Sequence, residues 1–67
     1  MYLGEVEDEI PHGLGVEILA SGTRYEGLFT QGKKGPRGII YFHDGNIYEG
    51  EMFESALHGN GRLIYKD

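Results

Sequence analysis

Histidine, lysine and the carboxylates are the residues of this chain with the most obvious chemistry, so their spacing comes first. His12, His43 and His58, with Glu9 and Glu54 near two of them, are residue types that ligate zinc. Their spacing follows no ligand pattern, and there is no cysteine to complete one. His12 and His58 share a slot in a repeated sequence unit and are read as serving turns, so no metal site is assigned. Gly32-Lys33-Lys34-Gly35-Pro36-Arg37-Gly38 has the composition of a loop that cradles phosphate. It lacks the Gly-Lys-Ser/Thr ending and any following helical pattern, which removes the nucleotide reading. What survives is the chain's one basic cluster, Lys33, Lys34 and Arg37. It reads either as a solvated hairpin tip or as a contact for a lipid headgroup or acidic peptide. Glu5, Glu7, Asp8 and Glu9 gather carboxylates. General acid-base work needs a concave, partly desolvated site to shift their pKa values, and short regular turns offer none. No serine or threonine stands in a nucleophile motif. No catalytic residue and no cofactor are assigned, and the chain is read as non-enzymatic.

The elements that must position these residues follow a ruler. Tyr25-Glu26-Gly27 recurs as Tyr48-Glu49-Gly50, and Tyr2-Leu3-Gly4 is a variant; the tyrosine spacings are 25 − 2 = 23 and 48 − 25 = 23. Gly15, Gly38 and Gly61 keep the same spacing, as do Gly22 and Gly45. His12 and His58 align with Gly35 between them, and Gly13 and Gly59 with Pro36 between them. A fixed period of about 20–50 residues signals a repeat architecture. The chain divides into just under three copies, about 1–22, 23–45 and 46–67, within a single domain.

This pattern resembles the MORN (membrane occupation and recognition nexus) repeat. That repeat reads as a tyrosine, a glycine two residues later, often an aromatic two after that, then a His-Gly-x-Gly element and an Asp-Gly turn. Tyr25, Gly27 and Phe29 match its opening; His12-Gly13-Leu14-Gly15 and His58-Gly59-Asn60-Gly61 match its second element, and Asp44-Gly45 its turn. The middle copy departs, with Gly35-Pro36-Arg37-Gly38; Glu17 stands at a position that is usually apolar, and the first turn reads Ser21-Gly22. The resemblance spans essentially the whole chain. It implies an all-β fold of hairpins. It also implies settings such as cytoskeletal and ciliary assemblies, membrane contact sites, or an accessory region of lipid kinases and lysine methyltransferases.

Sixty-seven residues suffice for one small domain. A chain of this size buries only about 60% of its extended surface, so it is marginal alone. With no disulfide available, support must come from self-association, a partner or more repeats. A net charge of −5, from 11 acidic and 6 basic residues, argues against nucleic acid and weakens attraction to anionic lipid. No signal peptide and no long apolar run is present, so a cytoplasmic setting is expected, with cytoskeletal, ciliary or membrane association as the resemblance implies.

Strands are expected near residues 2–7, 14–20, 23–30, 37–43, 46–53 and 60–66, because β-prone runs alternate with turn signals and no helical stripe appears. Asp8 to His12 and Gly32 to Gly35 read as connecting turns, and Ser21-Gly22 and Asp44-Gly45 as two-residue hairpin turns. Six short strands joined by tight turns pair with their sequence neighbours. The expected fold is therefore all-β, an elongated, twisted antiparallel meander in a single-layer sheet.

Side chains alternate between the faces of a strand. One face collects Tyr2, Tyr25, Tyr48, Val6, Phe29 and Met52, joined by Leu19, Ile40, Phe42, Leu63 and Tyr65 if the family's pairing holds. Its stabilising unit is a tyrosine ring laid over a neighbouring glycine. The other face collects Val16, Ile18, Leu28, Ile39, Tyr41, Ile47, Phe53 and Ile64 among Glu5, Glu26, Glu49 and Glu51. One layer cannot cover both faces, so an apolar surface and two open strand edges await company. The function expected is a protein-interaction module or scaffold, binding a protein partner or itself through Tyr25, Phe29, Ile39, Tyr41, Phe42, Ile47, Tyr48 and Met52. The alternatives are a peripheral module that contacts anionic phospholipid through Lys33, Lys34 and Arg37, or an accessory region of a larger enzyme.

Overall fold

A computed structural model describes residues 1–66. The described residues form six strands: β1 (Tyr2–Glu7), β2 (Ile10–Ile18), β3 (Arg24–Thr30), β4 (Lys33–Tyr41), β5 (Ile47–Phe53) and β6 (Ala56–Ile64). They make one sheet in the order β1-β2-β3-β4-β5-β6, every neighbour antiparallel. The expected all-β meander is therefore the fold. The strand β-propensity and the tight turns leave no long connection that would let a strand skip its neighbour. The sheet is open, and β1 and β6 are its edges.

The first strand of each hairpin lies where the alternation placed it. The second strands β2, β4 and β6 begin about one turn earlier than expected. The cause is the tip of each hairpin. Asp8-Glu9, Gln31-Gly32 and Glu54-Ser55 are two-residue turns with both φ angles positive (53° and 67°, 49° and 85°, 50° and 68°). That geometry matches the twist of paired strands. Five of these six residues are not glycine, so the usual Asn-Gly or Asp-Gly signal is missing, and strand pairing continues through Pro11 and Lys34. The extra strand length is absorbed by a bulge in each hairpin, where the register skips between Gly4 and Val6, Gly27 and Phe29, and Gly50 and Met52.

The connections between repeats also differ from the two-residue turns expected. Leu19 N–H donates to Thr23 O (2.9 Å) and Gly22 N–H to Leu19 O (2.9 Å), which closes a three-residue loop, Ala20-Ser21-Gly22. His43-Asp44-Gly45 repeats it, through Phe42 N–H to Asn46 O (2.9 Å) and Gly45 N–H to Phe42 O (3.0 Å). Gly22 and Gly45, at φ 96° and 98°, supply the left-handed residue that such a loop requires.

The core lies on one face. Tyr25, Phe29, Tyr48 and Met52 are 2–5% exposed, with Tyr2, Ile40 and Phe42 packed against them. Among the described residues no second layer covers these rings, so the sheet must curve towards them to bury them this deeply. The Phe29 ring meets Tyr2 and Tyr25 edge-on, at centroid distances of 5.0 and 5.1 Å, the arrangement that aromatic quadrupoles favour.

Candidate interaction surface

The sequence-derived partner set falls on two faces of the sheet. Tyr25, Phe29, Tyr48 and Met52 are the core itself and present almost no surface. Phe42 packs against them and is half-buried. Ile39, Tyr41 and Ile47 lie on the opposite face, also half-buried, where the next layer of a thicker protein would sit.

Cross-strand register arranges that opposite face into rows. One row runs Leu3, Val16, Glu26, Ile39, Glu49, Arg62; another runs Ile18, Arg24, Tyr41, Ile47, Ile64. Its charges are satisfied locally. Arg24 Nε is 3.0 Å from Glu26 Oε2, and Arg62 Nη2 is 2.7 Å from Glu49 Oε1. The Arg24 guanidinium also lies 4.4 Å from the Tyr41 ring centroid, a cation–π contact that covers part of that ring. Between the pairs stand apolar groups in the open: Leu3 is 59% exposed, Leu14 62%, Phe53 61% and Ile64 42%.

The basic cluster is not one surface. Lys34 pairs in register with Phe29 and so shares the core face. Its Nζ is 2.7 Å from Glu17 Oε1 and 5.9 Å from the Tyr25 ring centroid, with the side chain only 22% exposed. Lys33 is at the tip, 3.9 Å from Glu54, both side chains 60% exposed. Arg37 is exposed on β4 opposite Glu51. The expectation of a shared cationic tip fails for Lys34, because strand pairing extends to Lys33 and turns Lys34 inward.

Two carboxylates to which the sequence reading assigned no structural role, Glu5 and Glu51, are structural. Glu5 Oε1 accepts from Leu14 N–H (2.7 Å), and Glu51 Oε1 accepts from Asn60 N–H (2.6 Å). Each carboxylate satisfies a backbone donor beside the bulge. The signal was legible, since 51 − 5 = 46 is two periods, with Leu28 in the middle copy. His12 serves a turn, though not its own: its Nδ1 accepts from Gln31 N–H (3.2 Å) at the next hairpin's tip. His58 packs its ring against Phe53 at 5.7 Å. Among the described residues, no three His, Asp or Glu side chains gather as a metal site.

The tyrosine hydroxyls complete each repeat. Tyr25 donates to Leu28 O (2.7 Å), with Arg37 O at 2.9 Å, and Tyr48 donates to Glu51 O (2.7 Å). Burial pushes the Tyr25 phenol above its ordinary pKa. Each ring thus bridges its own hairpin, over glycine, and repeats the same contact along the sheet. An array of like hairpins with a self-covered face and an uncovered apolar face is a repeat-based module. The repeat is the MORN repeat, which matches residues 2–24, 25–47 and 48–67; the chain belongs to the MORN-repeat family. The family is in general one of interaction modules rather than enzymes. No helix among the described residues is long and apolar enough to cross a membrane.

Proposed function

We propose that this chain is a non-enzymatic scaffold that holds a protein partner against the sheet face opposite its tyrosines. The observation that carries this reading is the apolar patch of Ile39, Tyr41 and Ile47, with Leu14, 62% exposed, beside Ile39. An apolar centre ringed by paired charges is how protein interfaces are built. Arg24–Glu26 and Arg62–Glu49 are the polar rim in this arrangement.

The test is affinity capture with crosslinking, comparing the native chain with the double variant Ile39→Ser, Tyr41→Ser. Capture of the native chain's specific partners should disappear in the variant while its far-ultraviolet circular dichroism stays the same. Undiminished capture by a folded variant would remove this face from the reading. The headgroup reading has less support, because the Lys34 ammonium is already engaged by Glu17 and Lys33 faces Glu54.

A further inference from the structure

The two joints between repeats are built from the same slots, so each repeat offers one half of a joint on one side and the other half on the other. In the first joint β2 pairs with β3, and in the second β4 pairs with β5, each with glycine opposite glycine: Gly15↔Gly27 and Gly38↔Gly50. The hairpin tips are linked in the same way both times, Gly32 N–H donating to Pro11 O (2.8 Å) and Ser55 N–H to Lys34 O (3.0 Å). The first joint adds an imidazole cap, His12 Nδ1 accepting from Gln31 N–H, and an ion pair, Lys34 Nζ to Glu17 Oε1 at 2.7 Å. It also buries a side chain: Phe29 meets the Tyr2 ring of the preceding repeat at 5.0 Å and is 4% exposed. Met52 holds that slot one period later and is 3% exposed.

The edge strands carry the other halves, and β6 is exposed along its whole length. Val6 holds the slot of Phe29 and Met52 but is 58% exposed, because among the described residues no repeat lies on that side of it. His58 returns the imidazole that the middle copy lacks. The counterpart of Gln31 for it is Asp8, which has the same left-handed backbone, φ 53° against 49°. Leu57 O and Glu9 N–H correspond to the two groups of the tip bond. Leu63 and Pro11 take the slots of Glu17 and Lys34, apolar residues in place of the ion pair. We propose that these halves join between molecules: a second copy of this chain adds its β1 antiparallel to β6, head to tail, in the register of the internal joints. That register sets Gly61 opposite Gly4, Leu63 opposite Tyr2 and Arg62 opposite Leu3 of the second copy, and it brings no like charges face to face. An open strand edge is a template for such pairing. The interface is heterologous, with a different surface on each partner, so it propagates into an open series and not into one closed dimer. Each added copy repeats the patch of Ile39, Tyr41 and Ile47, which multiplies the contact surface offered to a partner.

The test is sedimentation equilibrium of the chain at physiological salt, which screens the repulsion between copies of charge −5. Concentrations run up to about 1 mM, so that a weak joint registers. The mean mass of the native chain should climb with concentration and pass that of a dimer. Val6→Lys puts a charge into the slot that Phe29 and Met52 bury, and Leu63→Glu puts one on the opposite edge. Both positions are exposed in the single chain (58% and 46%), so circular dichroism should match the native chain. Each variant should weaken association about tenfold, since the joint would enclose an unpaired charge. Adding Pro11→Lys to Leu63→Glu should restore association, because every joint then holds a copy of the Glu17–Lys34 pair. A mass that stays at the monomer throughout, or that stops at the dimer, overturns the proposal. So does an effect of only one of the two edge variants, which would mean pairing of like edges, or a failure of Pro11→Lys to restore what Leu63→Glu removes. The variants leave Ile39 and Tyr41 in place, so loss of assembly and loss of partner capture are read separately.

Discussion

At the scale of single residues, the fold rests on tyrosine over glycine. A Cβ at Gly38 would lie 2.2–2.4 Å from the Tyr25 ring and hydroxyl, inside contact distance, so the ring occupies the space a side chain would take. Gly27 faces a harder obstacle: a Cβ there would sit 2.5 Å from Gly38 Cα and 2.7 Å from Arg37 O, both backbone. Gly27→Ala should therefore force the strands apart and cost about 3 kcal/mol, at the upper end of overpacking. Gly22→Ala is the contrast. Its Cβ meets nothing nearer than 3.7 Å and suffers only from φ 96°, so it should cost about 1 kcal/mol. Urea unfolding of the two variants checks the order; equal losses would show that the close approach is not what makes Gly27 necessary. The same packing sets a pH response. Burial raises the folded-state pKa of Tyr25, so folding favours its neutral form. That stability is whole below the ordinary tyrosine value of about 10 and is lost as pH rises through the higher folded value. Urea midpoints should fall on the alkaline side of about pH 10, and Tyr25→Phe should blunt the fall, because its ring cannot ionise.

At the scale of the hairpin, the reading from sequence succeeded where periodicity speaks and failed where individual side chains replace a stock turn. The exact 23-residue recurrence of Tyr2, Tyr25 and Tyr48 fixed strand number, order and facing, because the alternation of a strand follows from its backbone. The tips were misplaced because Asp8-Glu9 and Glu54-Ser55 adopt positive φ without glycine, held there by the strands they join. Lys34 was misread for the same reason, since two residues of extra pairing decide which face it takes. The deep burial of Phe29 and Met52 depends on curvature, which no local pattern encodes. The carboxylate caps show what the hairpin needs beyond its rings. Glu51→Leu copies the middle repeat, where Leu28 holds the slot, and removes the acceptor 2.6 Å from Asn60 N–H. The bond is exposed, so water replaces it in part, and the loss should be about 1 kcal/mol. Hydrogen exchange at Asn60 should quicken in this variant. Unaltered exchange there would mean that the bulge holds its own amide without the carboxylate.

At the scale of the whole molecule, charge and face decide between a protein and a membrane. The chain carries −5, and each repeat tip except the middle one is acidic. Of the three basic residues on the second strand of the middle hairpin, the Lys34 ammonium lies inward against Glu17 at 2.7 Å. Lys33 and Arg37 remain to meet a headgroup. A cation near an anionic surface contributes about 1 kcal/mol. Two such residues supply less than the ~4 kcal/mol that corresponds to millimolar affinity, before any repulsion from the acidic copies is counted. The chain should therefore stay in the supernatant when spun with phosphoinositide-containing vesicles at physiological salt, and also with neutral vesicles. The variant for this experiment is Lys33→Glu with Arg37→Glu. Lys34→Glu would set two carboxylates together beside the Tyr25 ring and disturb the core, which confuses folding with binding. Binding confined to the anionic vesicles and abolished by the Lys33, Arg37 reversal would place the functional surface at the middle hairpin tip and overturn the scaffold reading. Absence of binding leaves the apolar patch of Ile39, Tyr41 and Ile47 as the proposed contact surface, since its apolar groups gain from leaving water whatever the salt.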